Sequence, residues 1–309
     1  MVDVTAPFRS GFACFVGRPN AGKSTLTNAV VGDKIAITSS RPQTTRHAIR
    51  GLVHRDDGQL ILIDTPGLHR PRTLLGERLN DLVRSTWSEV DTVALCLPAN
   101  EKIGPGDRYL MGELAKLRKT PMIAVATKTD LVKPQRILQH LADIQAAGAE
   151  VDVTFRDIIP VSAVANQQVD QLTDLLIASL PEGPALYPDG HLTDEPEATL
   201  VAELIREAAL EGLHDELPHS LAVVVEEMGP RLGRPEAKPL VDIHANIYVE
   251  RDSQKGIIIG NKGARLREIG QNSRAQIERL LGTPIYLDLH VKIAKEWQRD
   301  PKQLRKLGF

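Results

Sequence analysis

The chain has only two cysteines, Cys14 and Cys96, in 309 residues. That is too few for a disulfide framework, and a reducing cytoplasm fits. Both stand inside apolar runs, FACFVG and TVALCLP, where buried thiols are expected. No apolar run approaches the roughly 20 residues needed to cross a bilayer. The N-terminal MVDVTAPFRSGF has no basic stretch leading into an apolar one, so no signal peptide is expected. His47, His69 and His214 share no ligand spacing, and no zinc site is expected. Internal repeats and low-complexity tracts are also missing.

A strong net charge is absent too. The formal balance is −2, with 42% hydrophobic and 25% charged residues, the composition of an ordinary globular chain. The small total hides an asymmetry. Residues 181–240 carry 4 Lys/Arg against 13 Asp/Glu, and residues 241–309 carry 13 against 8. A basic terminal block is a footprint for a polyanion or simply a solvated surface.

What is present is an alternation. FACFVG, QLILID, DTVALCL, PMIAVAT and DIIPVS read as short buried strands. Helix-like spacing covers 76–89, 107–118, 134–147 and 167–179 between them. This pattern predicts an α/β domain over residues 1–180, a mainly parallel sheet with helices on both faces. HAIRGLVHR, DDG and QLILID predict a hairpin and hence one antiparallel strand. The Pro- and Gly-rich LPEGPALYPDG opens a linker, placed at 181–198. A helix near 197–212, strands LAVVVEEM and VDIHANIYVE, a helix opened by GIIIGNKG and running to about Leu281, and a strand PIYLDLHV then predict a small α+β domain over 199–309.

GRPNAGKS, residues 17–24, follows a strand and precedes a helix, matching G-x-x-x-x-G-K-[ST] in the context the motif requires. Gly17 and Gly22 allow the backbone to wrap phosphates, and its N–H groups supply a positive field. Lys23 is expected on the β and γ phosphates and the Ser24 hydroxyl on Mg²⁺, with Ala21 and Thr25 also at the nucleotide. In DTPGL, Asp64 is expected at the Mg²⁺ shell and the Gly67 N–H at a γ-phosphate, with Thr65, Pro66 and Leu68 alongside. In SSRPQTTRH, a Thr is expected to reach Mg²⁺ and the γ-phosphate, Thr45 first and Thr44 as the alternative. The catalytic expectation is Lys23, Thr45 and Gly67, acting by positioning and charge neutralisation.

AVATKTD ends another strand on the same side of the sheet. Asp130 can accept from the paired N–H donors of guanine, which adenine lacks. The stem of Lys128 can cover the base. VSA brings Ser162 and Ala163 to the guanine oxygen. Helix capping by Asp130 is the competing explanation. In the second domain, Gly260, Asn261, Lys262 and Gly263 form G-x-x-G between two helices, a loop that can approach a single-stranded backbone. The expected RNA contacts are Lys255, Gly256, Ile258, Ile259 and this loop, followed by Arg265 and Arg267.

Together these residues resemble Era-like bacterial GTPases that carry a C-terminal KH domain. GRPNAGKS, the Thr loop, DTPGL and SA are similar to the GTPase set, and ERDSQKGIIIGNKG with LGTPIYLDLHVKIAKEW to the KH domain. The resemblance implies a type II KH fold, GTP hydrolysis with GTP, GDP and Mg²⁺ bound, and binding to the 3′ end region of small-subunit ribosomal RNA during assembly of that subunit. It implies a cytoplasmic protein with peripheral contact at the inner face of the cell membrane; DNA is not an expected partner. Two positions depart. Thr127 stands where the family has Asn, which holds the base loop to the phosphate loop. Leu68 stands where many GTPases have a water-orienting Gln, so intrinsic hydrolysis is expected to be slow. Asn20 is a K⁺ ligand by resemblance, or a loop-stabilising residue. A constitutive RNA-binder with a degenerate nucleotide site and a GTPase whose second domain binds protein are the competing functions.

Overall fold

The computed structural model describes residues 7–38, 44–68, 71–213, 220–235 and 238–309. The chain forms two compact units. The first is Met1–Thr38, Thr45–Arg70 and Leu79–Asp194; the second is Ser39–Thr44, Pro71–Arg78 and Glu195–Phe309.

The first unit is built from β1 (Arg9–Val16), α1 (Lys23–Val31), β2 (Ile49–Arg55), β3 (Gly58–Asp64), α2 (Leu74–Glu89, from Leu79 onward), β4 (Thr92–Pro98), α3 (Pro105–Leu114), β5 (Met122–Thr127), α4 (Pro134–Glu150), β6 (Asp157–Pro160) and α5 (Val169–Ala178). Its sheet has the order β2-β3-β1-β4-β5-β6. Only β2 runs antiparallel, paired to β3 from Ile49↔Asp64 to Arg55↔Gly58 across a two-residue turn at Asp56 and Asp57. Ala13 and Phe15 of β1 enter the core under α1 and α5, while Cys14 and Val16 enter the core under α2, α3 and α4. Burial on both faces is why the parallel strands read as unbroken apolar runs. Both cysteines are fully buried, and burial pushes the Cys96 thiol up to about 12.

Residues 181–194, expected as linker, are fastened to this unit. Gln59 is buried; its Oε1 accepts from the N–H of Leu186 (2.6 Å) and Tyr187 (2.9 Å), and its Nε2 donates to the Tyr187 carbonyl (2.8 Å). The Leu52 N–H donates to the Leu192 carbonyl at 2.9 Å, so the strap covers the outer edge of β2.

The second unit contains α6 (Glu197–Leu210), β7 (Ala222–Pro230), β8 (Val241–Val249), α7 (Asp252–Ile259), α8 (Ala264–Leu281), β9 (Ile285–Ile293) and a short α9 (Pro301–Lys306) that the sequence pattern did not reveal. Its sheet is β7-β8-β9, with β7 antiparallel and β9 parallel to β8. Ile243, Ala245, Ile247 and Val249 are buried as the alternation predicts, but Asn246 and Tyr248 on the other face are buried too. GIIIGNKG does not open one helix: it is the end of α7 followed by a 3₁₀ turn at Asn261–Gly263, with α8 beginning at Ala264.

Gly58 has no room for a side chain. A Cβ there would lie 2.5 Å from Ile177 Cγ2 and 2.7 Å from the Arg9 carbonyl oxygen. The backbone contact belongs to the β1–β3 pairing and cannot yield cheaply. Gly58→Ala is expected to destabilise the first unit by about 1–3 kcal/mol, measured as a lowered urea midpoint.

Candidate functional site

The ends of β1, β3, β5 and β6 lie on the carboxyl side of the sheet, where ligands of open α/β folds bind. β1 leads into the GRPNAGKS loop and α1. Gly22 precedes α1 with φ 94°, a left-handed conformation that glycine adopts without a Cβ penalty. No side chain caps this helix and its first turn carries no acidic residue, leaving its N-terminal field for an anion. Gly17 is required for a different reason: a Cβ would stand 2.8 Å from the Cys96 carbonyl oxygen on β4.

Lys23 is buried, with its Nζ 3.2 Å from the carbonyl oxygens of Gly17 and Arg18. Asp64 is fully buried at the end of β3. Its Oδ2 accepts from Ser24 Oγ at 2.7 Å and Thr45 Oγ1 at 3.3 Å, and the two hydroxyls are 2.9 Å apart. The other oxygen, Asp64 Oδ1, is buried with no hydrogen-bond partner among the described residues. Burial pushes the Lys23 ammonium below its usual value and the Asp64 carboxyl above its own, each opposed by the other's charge. Such groups await counter-charges. One carboxylate and two hydroxyls form a hard oxygen set that suits a hydrated Mg²⁺.

The two candidate threonines are placed differently. Thr45 turns its hydroxyl to Ser24 and Asp64, whereas the Thr44 carbonyl accepts from the buried Arg206 within the second unit. Residues 39–43, the first part of SSRPQTTRH, and residues 69–70 beyond DTPGL lie outside the described residues. Gly67 packs on the phosphate loop; a Cβ would meet Pro19 N at 2.9 Å and Lys23 Nζ at 3.2 Å. Asn20 has φ 63°. Leu68 is partly buried against the core.

Thr127 Oγ1 donates to the Ala21 carbonyl at 2.7 Å in a buried contact. A shorter side chain than Asn thus ties the base loop to the phosphate loop. Lys128 has φ 57°, turning the chain into a 3₁₀ turn at Thr129–Leu131. Asp130 is exposed inside that turn and does not cap α4, whose cap position is Lys133. Its Oδ1 accepts from Ser162 Oγ at 2.6 Å, and Ser162 Oγ in turn accepts from the Ala165 N–H at 3.1 Å. The Ser162 side chain, expected only as part of a backbone contact, orients the Asp130 carboxylate.

Arg18 was missed because its motif position tolerates any residue. Its Nε donates to Asp107 Oδ1 and its Nη2 to Glu101 Oε2, both at 2.7 Å. Asp107 is buried, and its Oδ2 accepts from the Gly104 N–H at 2.9 Å to cap α3. The Arg18 carbonyl receives Lys23 Nζ, so this side chain anchors the turn that holds the lysine.

In the second unit, α7 ends at Gly260 (φ 70°), and Lys262 (φ 49°) and Gly263 (φ 79°) have left-handed backbones. Space around Gly263 is open, with nothing within 4 Å of where a Cβ would stand. Asn261, Lys262, Gly256 and Arg267 are exposed, and Lys255, Ile259 and Gly260 are half-buried. Two expectations need correction. Ile258 is fully buried and anchors α7 in the core, while its neighbour Ile257 is exposed. Arg265 Nη2 donates to the carbonyl of Glu211 at 2.5 Å, closing the end of α6 instead of facing the loop's outer side. A groove of about 400 Å³ runs from Gly263 between α8 and β9, lined by Leu266, Arg267, Arg274, Tyr286 and Leu289 among others. Among the described residues no cluster of His, Cys, Asp or Glu could hold a metal by itself, and no helix is long and apolar enough to cross a membrane.

A family described as a 50S ribosome-binding GTPase matches residues 12–128, and a KH domain family matches residues 216–298. GTPase Era of Nocardioides sp. (strain ATCC BAA-499 / JS614) is 72% identical over 301 residues, covering 97% of this chain and 96% of that protein. GTPase Era of Streptomyces coelicolor is 70% identical over 301 residues, covering 97% and 95%. A crystal structure of Era in complex with MgGDPNP and nucleotides 1506–1542 of 16S ribosomal RNA matches with a TM-score of 0.91 at 34% identity, covering 97% of this chain and 99% of that one. An Aquifex aeolicus Era variant bound to GDP·AlF₄⁻ matches with the same values.

Arg18→Ala would leave the buried Asp107 carboxylate without its counter-charge. The expected cost is about 2–3 kcal/mol, below that of a fully enclosed pair because 32% of the Arg18 side chain is exposed. Chemical denaturation of Arg18→Ala beside Arg18→Ala/Asp107→Asn checks this; the second change is expected to restore part of the loss.

Proposed function

This chain belongs to the Era family of GTPases, and from that premise we propose how its own residues serve the switch. It hydrolyses GTP to GDP and phosphate, binds ribosomal RNA and acts in assembly of the small ribosomal subunit. The observation that carries the nucleotide reading is the Asp64 carboxylate, held by Ser24 and Thr45 on one oxygen and without a partner among the described residues on the other.

In this reading Ser24, Thr45 and Asp64 would hold Mg²⁺, which when bound would supply positive charge to the nucleotide phosphates. Lys23, kept in place by the Gly17 and Arg18 carbonyls, supplies a fixed positive charge to the same phosphates. Gly17, Asn20, Ala21, Gly22 and Thr25 frame the phosphate chain. Gly67 presents its N–H to the γ-phosphate, flanked by Thr65, Pro66 and Leu68. Leu68 has no polar atom with which to orient water, so turnover is slow without help. Asn20 as a K⁺ ligand beside the phosphates would supply that help, with turnover higher in K⁺ than in Na⁺ and the difference lost in Asn20→Ala. Asp130, oriented by Ser162, reads guanine, with Lys128 over the base and Ala163 at its oxygen.

The exposed Gly263 turn with Lys255, Lys262 and Arg267 receives the RNA backbone, and the adjoining groove receives bases. A cytoplasmic location and a peripheral contact with the inner face of the cell membrane complete the proposal; both rest on the resemblance alone.

The direct test is competition of GTP, GDP and ATP against a labelled guanine nucleotide with Mg²⁺ present. GTP and GDP are expected to compete and ATP not, with Asp130→Asn losing the distinction. If ATP competes equally or nothing binds, a constitutive RNA-binder replaces the switch. Thr127→Val keeps the shape and removes the bond to Ala21. It is expected to weaken guanine nucleotide binding by about 1 kcal/mol, roughly fivefold, while leaving the preference over ATP intact.

A further inference from the structure

We propose that Arg206 is a positioning residue for the nucleotide site: by holding the Thr44 carbonyl it presets the Thr45 hydroxyl for a triphosphate. The inference rests on the reading of Thr45 as a ligand to Mg²⁺ and adds a residue outside that ligand set.

Arg206 lies on α6 with 2% of its surface exposed, and Glu203, one turn before it, is 4% exposed. The two are joined twice, from Arg206 Nε to Glu203 Oε1 at 2.8 Å and from Nη2 to Oε2 at 2.5 Å. Nη2 also donates to the Thr44 carbonyl, while Nη1 is buried with no partner among the described residues. A buried ion pair is weak support for a fold, because apolar side chains of similar volume often pack as well or better. An apolar side chain could not hold a carbonyl. Among the described residues, the Thr44 oxygen is the acceptor that this guanidinium reaches outside its own helix.

The bond matters because of the peptide group it grips. The Thr44 carbonyl and the Thr45 N–H belong to one planar unit. With its oxygen fixed, φ and χ1 of Thr45 are the rotations left to aim the hydroxyl, and a β-branched side chain is stiff at χ1. That hydroxyl lies 2.9 Å from Ser24 Oγ and 3.3 Å from Asp64 Oδ2. Neighbouring residues are thus tied separately, Thr44 to α6 and Thr45 to the start of α1 and the end of β3. Without the first tie, binding of a triphosphate has to order this peptide group itself, and affinity falls by the cost of doing so. A diphosphate lacks the γ-phosphate toward which Thr45 is expected, so its affinity does not depend on the tie.

The test measures the affinity of the full chain for GDP and for a nonhydrolysable GTP analogue at saturating Mg²⁺. Removing the arginine alone would strand the buried Glu203 carboxylate. Arg206→Met is therefore made in a Glu203→Gln background and compared with Glu203→Gln. It is expected to weaken the analogue about tenfold, roughly the cost of ordering one more backbone residue, and to leave GDP affinity unchanged. Retained GDP affinity also shows that the nucleotide unit is folded. Thr45→Ala serves as the reference. Added to Thr45→Ala in the same background, Arg206→Met is expected to cost nothing more, because it acts through that hydroxyl. If Thr45→Ala binds the analogue as the unaltered chain does, the Mg²⁺ reading of Thr45 fails and this proposal with it. If Thr45→Ala weakens the analogue while Arg206→Met does not, the positioning role alone is overturned. Equal losses for GDP and the analogue, or losses that add in the combined variant, would make Arg206 a general support of the fold and overturn the role as well.

Discussion

A carboxylate with no exposed surface stands at the end of β3, and the nucleotide end of the molecule is arranged around it. Ionised Asp64 at that depth is costly unless it is bonded and met by positive charge. The hydroxyls of Ser24 and Thr45 meet one oxygen, and the Lys23 charge offsets part of the burial. These partners come from α1 and from the segment ahead of β2, so one buried charge draws three stretches of chain together. The same requirement explains why Gly67 carries no side chain, since a Cβ would press on Pro19 and Lys23.

Around that centre lies a frame of ties between loops. Arg18 fastens the phosphate loop to Asp107 and Glu101, Thr127 fastens the base loop to Ala21, and Ser162 fastens Asp130 to the turn that follows β6. Each tie is a short hydrogen bond from a side chain, and two are charge-assisted at their acceptors. Thr127 shows that the tie survives a change of residue type. What the position needs is a donor that reaches the Ala21 carbonyl, and a threonine hydroxyl does so at 2.7 Å.

The second unit manages its ligand face differently. Its turn has positive φ at Gly260, Lys262 and Gly263, and its groove is walled by half-buried leucines and by arginines that reach solvent. Arginines near the loop are not equivalent: Arg265 is spent on closing α6, and Arg267 remains exposed. Ile257 and Ile258 divide in the same way, one outward and one into the core. On a helix, adjacent residues face directions about 100° apart, so composition near a loop does not say which side chains are presented.

The sequence by itself determined the strand order of chemistry along the chain and the contiguous loops that carry it. GRPNAGKS, DTPGL, AVATKTD and the G-x-x-G turn are legible because each acts through backbone and side chains that are neighbours in sequence. Strand positions were equally legible, because burial on two faces demands unbroken apolar runs. Only the tertiary structure decided which distant groups meet. Arg18 and Asp107 are 89 residues apart, Thr127 and Ala21 are 106, and Arg265 and Glu211 are 54. It also decided that Gln59 would hold the 181–194 strap, that α9 would form, and that Tyr286 would carry Arg231 on its face. These outcomes depend on distances and directions set by packing, for which a single sequence has no local signal.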